Sequence, residues 1–179
     1  MPVHVALLRG INLGAKRRVA MADLRTLLEG LGYEDVRTHL QSGNAVFRTP
    51  TRSAAAVGAA IERAITTELG MDVDVVVRTA AQLAHVLAQD PFDGRATDHS
   101  RYLVVFCAKP VPPAMVADLD PARQAPEEVA VVGSEAYLWL PDGVQDSRLA
   151  RSMTDERLGG TWTMRNWKTV RKLAEMAAG

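Results

Sequence analysis

Cysteine is nearly missing from this sequence, with Cys107 alone among 179 residues. One thiol makes neither an internal disulfide nor a cysteine-rich zinc site, so the chain suits a reducing compartment, and the cytoplasm is the expected location. Long apolar runs are missing too. None approaches the roughly 18 residues of a membrane span, and Met1 to Leu8 lacks the charged, long apolar and small-residue order of a signal peptide. Neither secretion nor membrane insertion is expected. Net charge is also absent, because 21 basic residues balance 21 acidic ones. The balance hides an asymmetry: seven acidic residues against Arg123 between Val111 and Asp146, then seven basic against two acidic between Arg148 and Lys172. Two solvated faces of opposite sign account for it.

The chain has ample length and apolar content. At 47% hydrophobic residues, a chain of this size buries roughly 70% of its unfolded surface, enough for one compact unit or two small ones. Val3 to Leu8 reads as a strand, followed by a loop over Arg9-Gly-Ile-Asn-Leu-Gly14 and a helix with Met21, Leu24, Leu27, Leu28 and Leu31 on one face. Val36–Leu40 and Ala45–Arg48 read as strands about the turn Gln41-Ser-Gly-Asn44. A helix from Ser53 to Gly70 and a strand at Val73–Val77 complete the order strand, helix, strand, strand, helix, strand. Thr79 and Gln82 have capping-box spacing and open a connecting helix that stops before Pro91.

The second half repeats the order. Tyr102–Phe106 is the first strand, Pro113–Leu119 a short helix, and Val129–Val132 with Ala136–Leu140 a hairpin. One helix from Ser147 carries Leu149, Met153 and Leu158. Thr161–Thr163 is the closing strand, and Thr163 the expected N-cap of a last helix with Met164, Trp167, Val170 and Leu173 on one side. The fold class is therefore α+β: two ferredoxin-like βαββαβ units in tandem, residues 1–78 and 79–179, the second with the linking helix and a C-terminal helix.

Four segments, Ala6-Leu-Leu-Arg-Gly-Ile-Asn-Leu-Gly14, Met21 to Gly32, Gln41-Ser-Gly-Asn44 and Thr163-Met-Arg-Asn-Trp-Lys-Thr-Val170, resemble the family known as domain of unknown function 1697. The resemblance covers nearly the whole chain and rests on the segments occurring together and in order. It implies a bacterial cytoplasmic protein of tandem ferredoxin-like architecture and carries no established activity. Ala15 and Met164 depart from it, standing where glycine and a hydroxyl residue are expected. A hydroxyl role at Met164 is thereby lost.

Familiar chemistry is mostly excluded. Gly10-Ile-Asn-Leu-Gly-Ala-Lys16 misses the phosphate-loop spacing, and Arg17 stands where a magnesium-binding hydroxyl belongs. No nucleophile elbow occurs. His4, His39, His85 and His99 are dispersed, so no metal site is expected, and no cofactor either. Cys107, at the end of an apolar strand, reads as a small hydrophobe.

One constellation remains. In a βαββαβ unit the loop after the first strand and the hairpin between the second and third lie at one end of the sheet. Arg9, Asn12 and Lys16 then approach Gln41, Ser42 and Asn44 near a helix N-terminus, which favours an anion. Arginine forks onto phosphate or carboxylate, and the amides and hydroxyl fix its orientation. The same residues also have structural uses in turns, caps and ion pairs. Arg165 and Asn166 are candidates for a second anion contact, with Asn166 alternatively serving the last helix's cap.

The leading expectation is a module that binds a small phosphorylated or carboxylated ligand. Asp23, Glu34 and Asp35 are the nearest carboxylates in sequence, and nothing selects one as a general base, so enzymatic status stays open. The alternative is a nucleic-acid or protein-interaction module, with Tyr102, Tyr137 and Trp139 on the second sheet. Their acidic context opposes phosphate binding, and nucleic acid is the less expected partner. The sequence does not fix the oligomeric state.

Overall fold

Val3–Leu8 (β1) is apolar except for His4 and buried from His4 onward, and it holds an inner place in its sheet. In the computed structural model, which describes residues 1–179 apart from the side chain of Pro121, β1 lies between β3 (Asn44–Arg48) and β4 (Val75–Thr79), and β2 (Glu34–His39) flanks β3. All three pairings are antiparallel. Two helices complete this unit's core: α1 (Met21–Gly30) and α2 (Ala54–Leu69).

A second four-stranded antiparallel sheet is built from β5 (Tyr102–Cys107), β6 (Glu128–Val132), β7 (Glu135–Trp139) and β8 (Trp162–Asn166). The order β6-β7-β5-β8 repeats β2-β3-β1-β4 position for position. The remaining helices are α3 (Ala80–Gln89), α4 (Ala114–Ala117), α5 (Pro121–Gln124), α6 (Arg148–Arg151), α7 (Asp155–Leu158) and α8 (Trp167–Ala178). Among the described residues the chain is thus mixed α/β with two sheets and eight helices. It divides into two compact units, Met1–Ala84 with Lys172–Gly179, and His85–Arg171. Among the described residues no helix is long and apolar enough to cross a membrane.

Helical spacing on α1 places Leu24 and Leu28 in the first unit's core, both fully buried beside Ala6, Leu8, Phe47, Ile61 and Ile65. The second unit's core gathers Leu103, Val105, Met115, Leu138, Leu149 and Leu158. Local signals hold the ends. Ser53 accepts from the Ala56 amide at 3.2 Å, and Gly70 closes α2 in the left-handed conformation that glycine tolerates. Thr79 and Gln82 satisfy each other's backbone amides at 2.9 and 3.2 Å, the reciprocal pairing of a capping box.

Four expectations are corrected. β4 starts at Val75 rather than Val73, because the ladder begins where Leu8 meets Val75 at the end of β1. The helix from Ser147 is two single turns: Ser152 closes α6, and Thr154, followed by two acidic residues, caps α7 afresh. The short helical region after Pro113 also contains α5, which the periodicity missed.

The last correction bears on the candidate residues. Thr163 is no N-cap, because Trp162–Asn166 is strand, with Thr163 and Arg165 buried and Trp162, Met164 and Asn166 half-buried in alternation. Asn166 itself caps α8, its Oδ1 accepting from the Thr169 amide at 2.9 Å. Met164 accordingly packs from β8 against the second unit's core and not from the helix.

Candidate functional site

Where β1 leaves its sheet, the chain is pinned to the β2–β3 hairpin and to the segment before β4. The Leu8 amide donates to the Gly43 carbonyl at 2.9 Å, and the Arg9 amide to the Asp74 carbonyl at 2.9 Å. Gly43 has φ +84°, and a Cβ there would lie 2.8 Å from Leu8 Cβ and 2.7 Å from Ile11 Cδ1. The close approach of hairpin and loop therefore requires glycine.

Asn12 then organises the loop. Its Nδ2 donates to the Val19 carbonyl at 2.8 Å and to the Gln41 carbonyl at 2.6 Å, and its Oδ1 accepts from the Val19 amide at 2.9 Å. Its φ of +55° is one that asparagine adopts more readily than most side chains. In the hairpin, fully buried Asn44 donates to the His39 carbonyl at 2.8 Å and to Ser42 Oγ at 3.0 Å. Two asparagines thus hold the loop and the hairpin in fixed register.

This scaffold frames a shallow depression of about 380 Å³, lined by Asn12, Gly14, Arg18, Val19, Ala20 and Gln41. Ala20 is the N-cap of α1 and gives no side-chain hydrogen bond. The first-turn amides of α1 are therefore left to solvent or a ligand. Arg18 is exposed, with no ion pair or side-chain hydrogen bond among the described residues. Asp23 in the first turn is the nearest acid along the helix and opposes an anion there.

Of the residues singled out from sequence, Asn12 and Gln41 meet at the depression, and Ser42 and Asn44 meet beside it in the hairpin. Arg9 pairs with Asp74, Nη1 to Oδ2 at 3.4 Å, both side chains partly exposed. Lys16 is exposed on the loop and does not line the depression. Arg165 and Asn166 belong to β8 of the second unit. Arg165 Nη1 donates to Thr163 Oγ1 and to the Met164 carbonyl, each at 2.8 Å. Burial pushes its guanidinium down to about 10.

Arg18 belongs to no sequence motif that marks it as a ligand contact. Its signal is a basic residue two positions before an alanine N-cap, Ala20, so that neither Ser, Thr, Asp nor Asn occupies the helix end. Among the described residues no group of three or more His, Cys, Asp or Glu is placed to hold a metal ion.

The fold defines an α/β protein with two four-stranded sheets and a polar recess beside the β1–α1 loop of the first. The whole chain superposes on the conserved bacterial protein SP0830 from Streptococcus pneumoniae with a TM-score of 0.78, over 100% of this chain and 99% of that one. The two are 23% identical, so the likeness is one of fold. Residues 1–137 match the family described as Protein of unknown function (DUF1697), and the chain belongs to that family. The matched range includes the β1–α1 loop and the Gln41–Asn44 turn. No curated protein matches it in sequence.

Proposed function

We propose that the chain binds a small anionic ligand, a phosphate or carboxylate, in the depression at the N-terminus of α1. The observation that carries this reading is an uncapped N-terminus facing a recess lined by an unpaired arginine, Arg18, and by Gln41. Amides at a helix N-terminus donate to an anion, and the helix dipole favours its charge. Arg18 supplies a planar fork that matches two oxygens. Asn12, Ser42, Gly43 and Asn44 build the recess, while Lys16 adds positive charge beside it. The pairing of Arg9 with Asp74 orients the strand end and contributes less to the ligand.

Each unit is read as ferredoxin-like, a reading supported by the element order of the first and the identical strand order of both. Within that reading Arg165 and Asn166 act in the second unit, and their present hydrogen bonds favour a structural part. A single buried thiol, Cys107, is compatible with the cytoplasm.

Calorimetric titration of the full chain with phosphate monoesters and small carboxylates tests the proposal. Arg18→Ala should weaken binding at least tenfold, and Asp23→Asn should tighten it, because it removes the competing charge. Equal affinity of all three proteins for every anion would end the reading.

A further inference from the structure

A second recess, of about 450 Å³, lies in the second unit where α4 meets the α6–α7 junction. Pro112, Met115, Asp118, Thr154, Glu156 and Arg157 are among its lining residues. Its walls are well anchored. Thr154 caps α7 through the Arg157 amide at 3.2 Å. Gly159 closes the helix at φ +75°, so near Pro112 that a Cβ would sit 3.3 Å from Pro112 Cγ. Met115 is buried at 1% exposure and supplies apolar surface.

The charges in this recess are unpaired. Arg157, Asp118 and Glu156 form no ion pair with one another or with any other described residue. Arg157 Nη1 is covered and lacks a hydrogen-bond partner. A covered guanidinium nitrogen without an acceptor is costly, and such groups in folded proteins call for an explanation. Turning this guanidinium into the recess to meet an anion breaks no hydrogen bond at Nη1. One cavity thus offers an unpaired cation and two unpaired carboxylates beside an apolar wall.

We propose that this recess binds a small zwitterion of the free α-amino-acid type. Its carboxylate is held by Arg157, its ammonium by Asp118 and Glu156, and its side chain lies against Met115 and Pro112. A carboxylate matches the arginine fork, and an ammonium group donates to carboxylates in any direction. A simple dianion meets two repelling carboxylates, and a simple cation meets Arg157. Because two carboxylates face one guanidinium, a basic amino acid is preferred over a neutral one, and a neutral one over an acidic one.

Calorimetric titration of the full chain with lysine, alanine and glutamate tests this, with Nα-acetyl-lysine and lysinamide as blocked probes. Lysine should bind most tightly, with a dissociation constant of about 1 mM or below. Blocking either its amine or its carboxylate should weaken binding at least tenfold, as should Arg157→Ala. Asp118→Asn, at an exposed position, checks the opposite pole and should weaken lysine more than glutamate. The proposal is overturned if no free amino acid binds at about 10 mM, if the blocked probes bind as lysine does, or if both variants keep wild-type affinity while circular dichroism shows an unchanged fold.

Discussion

The side-chain amide of Asn12 donates to the main-chain carbonyl of Gln41 at 2.6 Å, across 29 residues of sequence. Through this bond and its two bonds to Val19, one side chain fixes the β1–α1 loop to itself and to the hairpin. The N-terminus of α1 and the Gln41 turn consequently share one recess.

Asn12→Asp separates the donor from the acceptor role. The carboxylate still accepts from the Val19 amide but faces the Val19 and Gln41 carbonyls without a proton to donate. The substitution should cost about 1–3 kcal/mol, read from chemical denaturation. A loss below about 0.5 kcal/mol would show that the loop holds without the staple.

Gly43→Ala places a methyl group against Leu8 and Ile11 at a φ of +84°. Strain alone at such a position costs about 1–3 kcal/mol, and the clash adds to it. Thermal unfolding should show the loss, and Leu8 and Ile11 methyl resonances should shift. An unperturbed midpoint would contradict the close approach of hairpin and loop.

Leu28, fully buried on α1, anchors that helix to the first sheet. Replacing it with alanine should destabilise the protein by about 2–5 kcal/mol, depending on how far the cavity collapses. Equilibrium denaturation measures this directly. An effect of a few tenths of a kcal/mol would place the side chain outside the core.

All three tyrosines, Tyr33, Tyr102 and Tyr137, ionise above the ordinary phenol range. Burial is the main cause in each. For Tyr102 the hydrogen bond to Asp90 at 2.7 Å adds to it, and for Tyr137 the charges of Glu135 and Asp90 do. The unfolded chain loses these protons near pH 10 and the folded chain only at higher pH, so the stability is fully present below about pH 10 and declines above it. Tyrosinate absorbance should rise together with alkaline unfolding. Ionisation near pH 10 with the fold intact would place the phenols in water.

Burial also argues against base stacking. Tyr102 and Tyr137 are 1% exposed, and Trp167 stacks on Tyr102 at 4.4 Å. Tryptophan fluorescence should therefore stay constant on adding single-stranded RNA at low salt. A saturable quench would bring the nucleic-acid reading back.

Much of this was legible in the sequence, for identifiable reasons. The runs Val3–Leu8 and Tyr102–Phe106, the helical spacing of Leu24 and Leu28, and the Thr79–Gln82 box are strong local signals. β8 was harder. Its alternation buries Thr163 and Arg165, and a buried arginine does not read as an inward position. The one-turn helices α6 and α7 were hidden because Leu149, Met153 and Leu158 together imitate a longer helix. At the candidate site, the topology explains why Asn12 and Gln41 meet. Arg18 escaped because its significance depends on Ala20 failing to cap α1, which is a missing interaction and not a motif.

The central claim is most directly tested by following the backbone amides of Met21, Ala22 and Asp23 by NMR while inorganic phosphate is added to the full chain. The proposed site predicts saturable shifts at these three amides and at Gln41, abolished by Arg18→Ala. Shifts absent from the first turn of α1, or unchanged in the Arg18 variant, would contradict it.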